Sequence, residues 1–255
     1  SMTTEEAISK TIGEGLERYF MSLYSNTKMP FQSFKSMNKR SRSVLDIRNL
    51  NGYTASQKKA FPEYDWSMDS PFYWVTGEDY STGAPVEIPS QLVFWNYRHG
   101  NAVPIRNEKV LVHGTTSGCA GHFSKEEAVL SGLLELIQRD AFLVFWLNQI
   151  SPPIIDAHTL KNPDVDELLQ YCKRYLLDVT FLNTTADIAV PSITCVITDN
   201  HSPDSPVISI GAATGFDIPH LCIHSALEAL SVNEYAASLP TFNLPDAYTP
   251  FLQKG

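Results

Sequence analysis

Apolar residues recur at helical spacing in several stretches of this chain and alternate in strand fashion in shorter ones. Ile8, Ile12, Leu16, Tyr19 and Leu23 form one stripe, and Thr3 with Glu6 makes a capping box, so a helix is predicted over residues 3–24. A second capping box, Ser124 with Glu127, opens a helix expected to reach residue 147, with Pro152-Pro153 beyond it. Its apolar side, Val129, Leu133, Leu136, Ile137 and Val144, is expected to face the core. Residues 165–176 and 219–238 predict two further helices. Strands are expected at 72–75, 86–89, 92–94, 110–113, 180–182, 192–197 and 207–211, with Ser81-Thr82-Gly83 turning the first two into a hairpin. Residues 25–60 are polar and broken, and read as a loop with one helical piece around 40–50. Without βαβ regularity, the order points to an α+β layered domain over 1–255, a mainly antiparallel sheet packed by long helices.

The polar positions of the two longest helices are less ordinary. Lys10, Glu14, Glu17 and Met21 share a stripe on the first, and Glu127, Ser131, Glu135, Gln138 and Phe142 share a narrow face on the second. Carboxylates close together repel unless a positive charge lies between them, and a divalent cation carrying phosphates is a common solution. Glu127 and Glu135 would lie roughly 12 Å apart along the axis, enough to reach opposite ends of one extended ligand. A solvated face is the alternative for both stripes.

Gly114-Thr115-Thr116-Ser117-Gly118-Cys119-Ala120-Gly121 joins a predicted strand to a helix N-terminus, a place where amides and dipole favour an anion. It is neither a Walker loop nor GxGxxG, and by itself it reads more readily as a tight turn, though its place just ahead of the acidic helix favours the anion reading. His220, His224 and Glu228 follow one another at i+4, a spacing able to bind zinc, with no further His/Cys set beside it. His113 and His122 read as structural or loop residues. No Gly-x-Ser-x-Gly elbow and no supported Cys/His nucleophile pair is present.

Composition narrows the class. The 255 residues are 43% hydrophobic and 18% charged, which describes a globular chain. A net charge of −9 argues against a general binder of nucleic acid or anionic membrane, and the cluster Lys35, Lys39, Arg40 and Arg42 reads as a solvated loop. The four cysteines have no CxxC spacing, so reduced thiols in a cytoplasmic protein are expected. No apolar run has membrane-spanning length. Ser1-Met2 reads as a vector-derived residue ahead of a start codon, and the domain is expected to be incomplete at both ends.

Taken together, several segments resemble the YcaO family. They are Ile12-Gly13-Glu14-Gly15-Leu16-Glu17-Arg18-Tyr19, Thr116-Ser117-Gly118-Cys119-Ala120, Glu126-Glu127-Ala128, Glu135-Leu136-Ile137-Gln138-Arg139-Asp140-Ala141, Phe145-Trp146 and Ser225-Ala226-Leu227-Glu228-Ala229. Trp74-Val75-Thr76-Gly77 with Ile88-Pro89 resembles the azoline-forming branch. The resemblance implies a YcaO-like layered fold with an ATP site in which glutamates hold Mg²⁺ against the phosphates. It implies Glu14, Glu17 and Glu135 as magnesium ligands, and Glu127, Arg139 and Glu228 as contacts to the nucleotide. Lys10, Ser117, Gln138 and His224 fill ATP-site positions where the family more often has Ser, Asn, Glu and Arg. The implied activity is cyclodehydration of Cys, Ser or Thr in a ribosomally made precursor peptide, with a leader-binding partner protein and with a homodimer left open. Thioamide formation is the enzymatic alternative. A non-catalytic docking scaffold is the other, motivated by Lys10, Gln138 and His224.

Overall fold

The computed structural model describes residues 3–25, 28–40, 43–50, 52–95, 97, 108–112, 114–199 and 208–238. Expectations at Arg42, His113, Val207 and the predicted connection over 200–206 fall outside these residues. The chain divides into two compact units, residues 2–125 and 126–255. Each is described by itself.

In the first unit, α1 (Thr4–Met21) starts where Ala7 donates its amide to the carbonyl of Thr3. A three-stranded antiparallel sheet follows, in the order β1 (Phe31–Ser33), β2 (Pro71–Glu78), β3 (Pro85–Pro89), with Trp74 opposite Pro89 and Phe31 opposite Tyr73. The predicted hairpin is there, and Asp79 closes it by accepting from the amides of Ser81 and Thr82. Two short helices, α2 (Phe34–Arg40) and α3 (Ala55–Ala60), occupy the stretch read as loop. Thr54 and Gln57 form a reciprocal capping box at α3, a signal visible in the sequence but attached to only one and a half turns. Met37, Ile47, Trp66, Phe72, Trp74 and Leu111 make the core.

Two predicted strands are corrected. Residues 92–94 fold instead around a 3-10 turn, Ser90–Leu92, because the Ser90 carbonyl takes the amides of both Val93 and Phe94. Lys109 to Leu111 are buried or half-buried without joining a sheet. The Gln91 side chain replaces a neighbouring strand there, donating to the Lys109 carbonyl at 2.8 Å and accepting from the Leu111 amide at 2.9 Å.

On the exposed turn Arg48–Leu50, the Arg48 guanidinium hydrogen-bonds Asp46 and holds its carboxyl down at about 2, from an ordinary 3.8. A depressed carboxyl pKa favours the folded state above pH 3.8, and the benefit is lost as pH falls through about 2. An NMR titration of the Asp46 carboxyl is expected to show that low midpoint, rising part of the way toward 3.8 in Arg48→Ala, which keeps the hydrogen bond from the residue-48 amide. An unchanged midpoint in the variant would contradict this cause.

The second unit carries α4 (Lys125–Leu147), α5 (Pro163–Arg174) and α6 (Ile218–Ser238) with a four-stranded antiparallel sheet. The sheet order is β4 (Ile154–Ile155), β5 (Leu177–Asn183), β6 (Ser192–Asp199), β7 (Ile208–Thr214). Asn162 caps α5 by accepting from Asp164 and Val165, with Pro163 at the first position. Val165, Leu168, Cys172, Phe181, Ile193, Cys195, Ile197, Ala213, Leu221, Cys222, Ala226 and Ala229 are the core. Small residues on α6 let it lie against β7 closely enough that a Cβ on Gly211 would meet the Ser225 carbonyl oxygen at 2.2 Å.

The apolar stripes do not behave as expected. On α4 the buried positions are Gly132 and Ala141, while Leu133 and Leu136 remain about half exposed. Ile8, Ile12, Leu16 and Tyr19 of α1 are likewise open. Periodicity shows which face of a helix prefers cover, not what provides it.

Candidate functional site

Each unit gathers one acidic set. In the first, Glu14, Glu17 and Arg18 lie within one turn of α1, and a guanidinium occupies the position between the two carboxylates. Arg18 donates from Nη1 to Glu17 Oε1 and from Nη2 to Glu14 Oε1, each at 3.2 Å. The other oxygen of Glu17 accepts from the Gly121 amide at 3.0 Å. Glu17 is thereby fixed from two sides and its side chain is only 18% exposed, whereas that of Glu14 is 66% exposed. A Cβ on Gly121 would rest on Glu17 Cβ at an ordinary 3.6 Å, so the loop approaches the helix with little room to spare.

That loop begins with a tight turn. Cys119 donates to the Thr116 carbonyl at 3.0 Å, Gly118 takes φ +80°, and Thr115 Oγ1 accepts the amide of Ser117. A positive φ is why glycine stands at 118. Of the two readings of this segment, the turn is present. Its closing amide, Gly121, is directed at a carboxylate.

In the second unit, Arg139 and Glu135 approach to 3.7 Å across one turn of α4. Glu228 on α6 accepts the Ala212 amide of β7 at 2.8 Å. Glu228 keeps a solvent-facing flank, yet crowding by protein atoms pushes its carboxyl above the usual range. The Ala212 amide and the Arg139 charge pull the other way, and the charge of Glu135 pushes it up further. Glu135, Arg139 and Glu228 therefore sense one another. Of the remaining candidates, Lys10, Glu127 and His224 are exposed, while Ser117 and Gln138 are half-buried.

Among the described residues, no three His, Cys, Asp or Glu side chains are grouped as a metal cage. The spacing of His220, His224 and Glu228 thus yields no zinc site, and the His220 amide instead binds Asp217 at the start of α6. Magnesium makes a different demand. It usually takes one or two carboxylates and completes its shell with phosphate oxygens and water. Glu14 and Glu17 offer hard oxygen donors of that number, one of them held in place, so the residues fit such an ion.

Sequence reasoning placed Gly121 in a candidate anion loop without foreseeing its carboxylate partner, and did not single out Ala212 or Trp95, whose ring lies 5.8 Å from the Arg18 guanidinium carbon. Arg18 could have been found, because Glu14 and Arg18 have the i,i+4 spacing of a helical ion pair. The other three depend on contacts distant in sequence.

A family model described as YcaO cyclodehydratase, ATP- and Mg²⁺-binding, matches residues 1–250. The chain belongs to the YcaO family. Among solved structures similar to this YcaO chain is a heterocyclase in complex with substrate and cofactor, with TM-score 0.74 and 18% identity over 95% of this chain and 33% of that one. The YcaO protein of Methanopyrus kandleri bound with AMPPCP and Mg²⁺ matches with TM-score 0.67 and 20% identity over 100% and 59% of the two chains. The E. coli microcin synthetase McbBCD complex matches with TM-score 0.64 and 17% identity over 96% and 60%. At these identities the likeness concerns the fold, and it agrees with the expected mixture of long helices and antiparallel sheet. An uncharacterized protein of Methanothermobacter thermautotrophicus is 27% identical over 160 residues, 63% of this chain and 40% of that protein. Another, encoded in the tfuA 3′ region of Rhizobium leguminosarum bv. trifolii, is 28% identical over 52% of this chain and 31% of its own length. The matched region is therefore less than half of either relative. ATP and Mg²⁺ are the family's cofactors. No described helix is long and apolar enough to cross a membrane.

Proposed function

We propose that this YcaO chain takes part in ATP-dependent activation of a peptide backbone amide, forming thiazoline or oxazoline from Cys, Ser or Thr of a ribosomally made precursor. In this reaction the side-chain nucleophile loses its proton and adds to the preceding carbonyl, the resulting oxyanion accepts the γ-phosphoryl group of ATP with release of ADP, and inorganic phosphate leaves as the amide nitrogen gives up its proton and the ring's C=N bond forms. Magnesium, when bound, neutralises phosphate charge, and positioning supplies most of the remaining catalysis in phosphoryl transfer. No protein nucleophile is required.

The observation that carries this reading is the seating of Glu17 between the Gly121 amide and Arg18, with Glu14 beside it. A solvated helix face has no reason to fix a carboxylate through a loop 104 residues away. On this reading Glu14, Glu17 and Glu135 are assigned to magnesium, and Lys10, Ser117, Glu127, Gln138, Arg139, His224 and Glu228 to the nucleotide. A precursor peptide and a leader-binding partner are the assigned macromolecules. The heterocyclase bound to substrate and the McbBCD complex support that assignment by likeness of fold. Four free cysteines suit a reducing cytoplasm.

Calorimetry of ATP binding with and without Mg²⁺ tests the reading. Magnesium-dependent binding weakened on the order of tenfold or more by Glu135→Ala is expected. Binding indifferent to both magnesium and the substitution would defeat it.

A further inference from the structure

We propose that Arg18 is the resident counter-cation of the acidic pair on α1, holding Glu14 and Glu17 together until a divalent ion displaces it. This positioning role rests on the reading of those glutamates as magnesium ligands.

The geometry supports an internal stand-in. One planar guanidinium reaches both carboxylates at 3.2 Å, using a different nitrogen for each. Its central carbon lies over the Trp95 ring, 5.8 Å from the centroid, a cation–π contact that helps hold the group in place. Glu17 also has its second oxygen on the Gly121 amide, so its carboxylate remains fixed if the arginine departs. Among the described residues Glu14 has no such anchor, being exposed and joined to the site through Arg18. Two carboxylates carry −2 and one guanidinium supplies +1, leaving a negative remainder that favours a divalent ion over the arginine. Arginine suits the task because its charge is permanent and its fork meets two oxygens at once. A vacant acidic pair would spread apart by repulsion, and its ordering would have to be supplied when the metal binds. A monovalent occupant keeps the pair assembled and is released when charge of higher valence arrives.

Magnesium titration of the 255-residue chain, followed by calorimetry and by NMR of arginine Nε–H groups, provides the test, with the Arg18 signal identified by its loss in Arg18→Lys. Added Mg²⁺ is expected to move that signal away from the ring-shifted position given by Trp95. Displacing a competing positive charge costs more than the ordering it supplies, so Arg18→Ala is expected to bind Mg²⁺ without nucleotide about tenfold more tightly, equivalent to about 1.4 kcal/mol, with Arg18→Lys intermediate. Should Arg18→Ala fail to fold, Trp95→Leu is expected to shift affinity in the same direction by less, and the wild-type NMR titration needs no substitution. Binding that depends on Glu14 and Glu17 while the Arg18 signal stays fixed overturns this proposal alone. Binding unaffected by Glu14→Gln and Glu17→Gln, or none in any variant, overturns the metal assignment together with it. Binding seen only in Arg18→Ala would support the proposal.

Discussion

Replacing Gly211 with alanine is expected to destabilise the second unit by about 3–5 kcal/mol. The added methyl group would lie 2.2 Å from the Ser225 carbonyl oxygen, 2.5 Å from the Ala229 amide nitrogen and 2.8 Å from Glu228 Cβ. Two of those three atoms are backbone, so no rotamer change relieves the clash, and α6 must move off β7. Separation would uncover Cys222, Ala226 and Ala229, all fully buried. With total stabilities of about 5–15 kcal/mol for a domain, such a loss is a large fraction of the whole. Urea denaturation followed by circular dichroism should show a much lower midpoint. A shift of under about 1 kcal/mol would mean that the helix lies farther from the strand than described.

Glu17→Gln is expected to weaken magnesium-dependent ATP binding on the order of 100-fold while leaving the fold intact. The amide retains an oxygen able to accept from Gly121, so the loop keeps its anchor. It contributes no charge to a hard cation, and its NH₂ group presents hydrogen where a metal needs a lone pair. Glu17→Ala is a less direct comparison, since it also removes the partner of Gly121. Calorimetric titration of Mg²⁺ and ATP, paired with thermal unfolding of the free protein, separates loss of ligand from loss of structure. Unchanged affinity in a folded Glu17→Gln protein would remove Glu17 from the metal set.

Much of the architecture could be read from local pattern. Residues 219–238 predicted α6 to within one residue, and 192–197 gave most of β6. The hairpin of β2 and β3 followed from Ser81-Thr82-Gly83, with Asp79 as the side chain that fastens the turn. Failures have definite physical sources. Phe31–Ser33 is too short for alternation to register, and α3, at six residues, is shorter than the window over which helical periodicity can be read. Val110 and Leu111 have strand-like side chains, but Gln91 satisfies their neighbouring backbone groups by an interaction 20 residues away in sequence. On α4 the large leucines outweighed Gly132 and Ala141 in the pattern, although the buried positions are the two small residues.

The candidate site was legible in its chemistry and not in its assembly. Spacing placed Glu14 and Glu17 on one stripe, and family likeness marked Glu135, Arg139 and Glu228. Only coordinates could show that Gly121 steadies Glu17, or that Glu228 reaches the sheet.

That last contact has a wider meaning. Ala212 lies on β7, which among the described residues is the rim of the four-stranded sheet, and a rim strand presents amides with no neighbouring strand to receive them. Glu228 covers one of these with a carboxylate that the proposed chemistry also employs. On the proposed reading a single side chain hems the sheet and serves the nucleotide, so natural variation at 228 would be constrained twice, once by folding and once by turnover. Glutamine could satisfy the first demand and not the second. A lineage that gave up catalysis but kept the scaffold would leave its mark there as an amide.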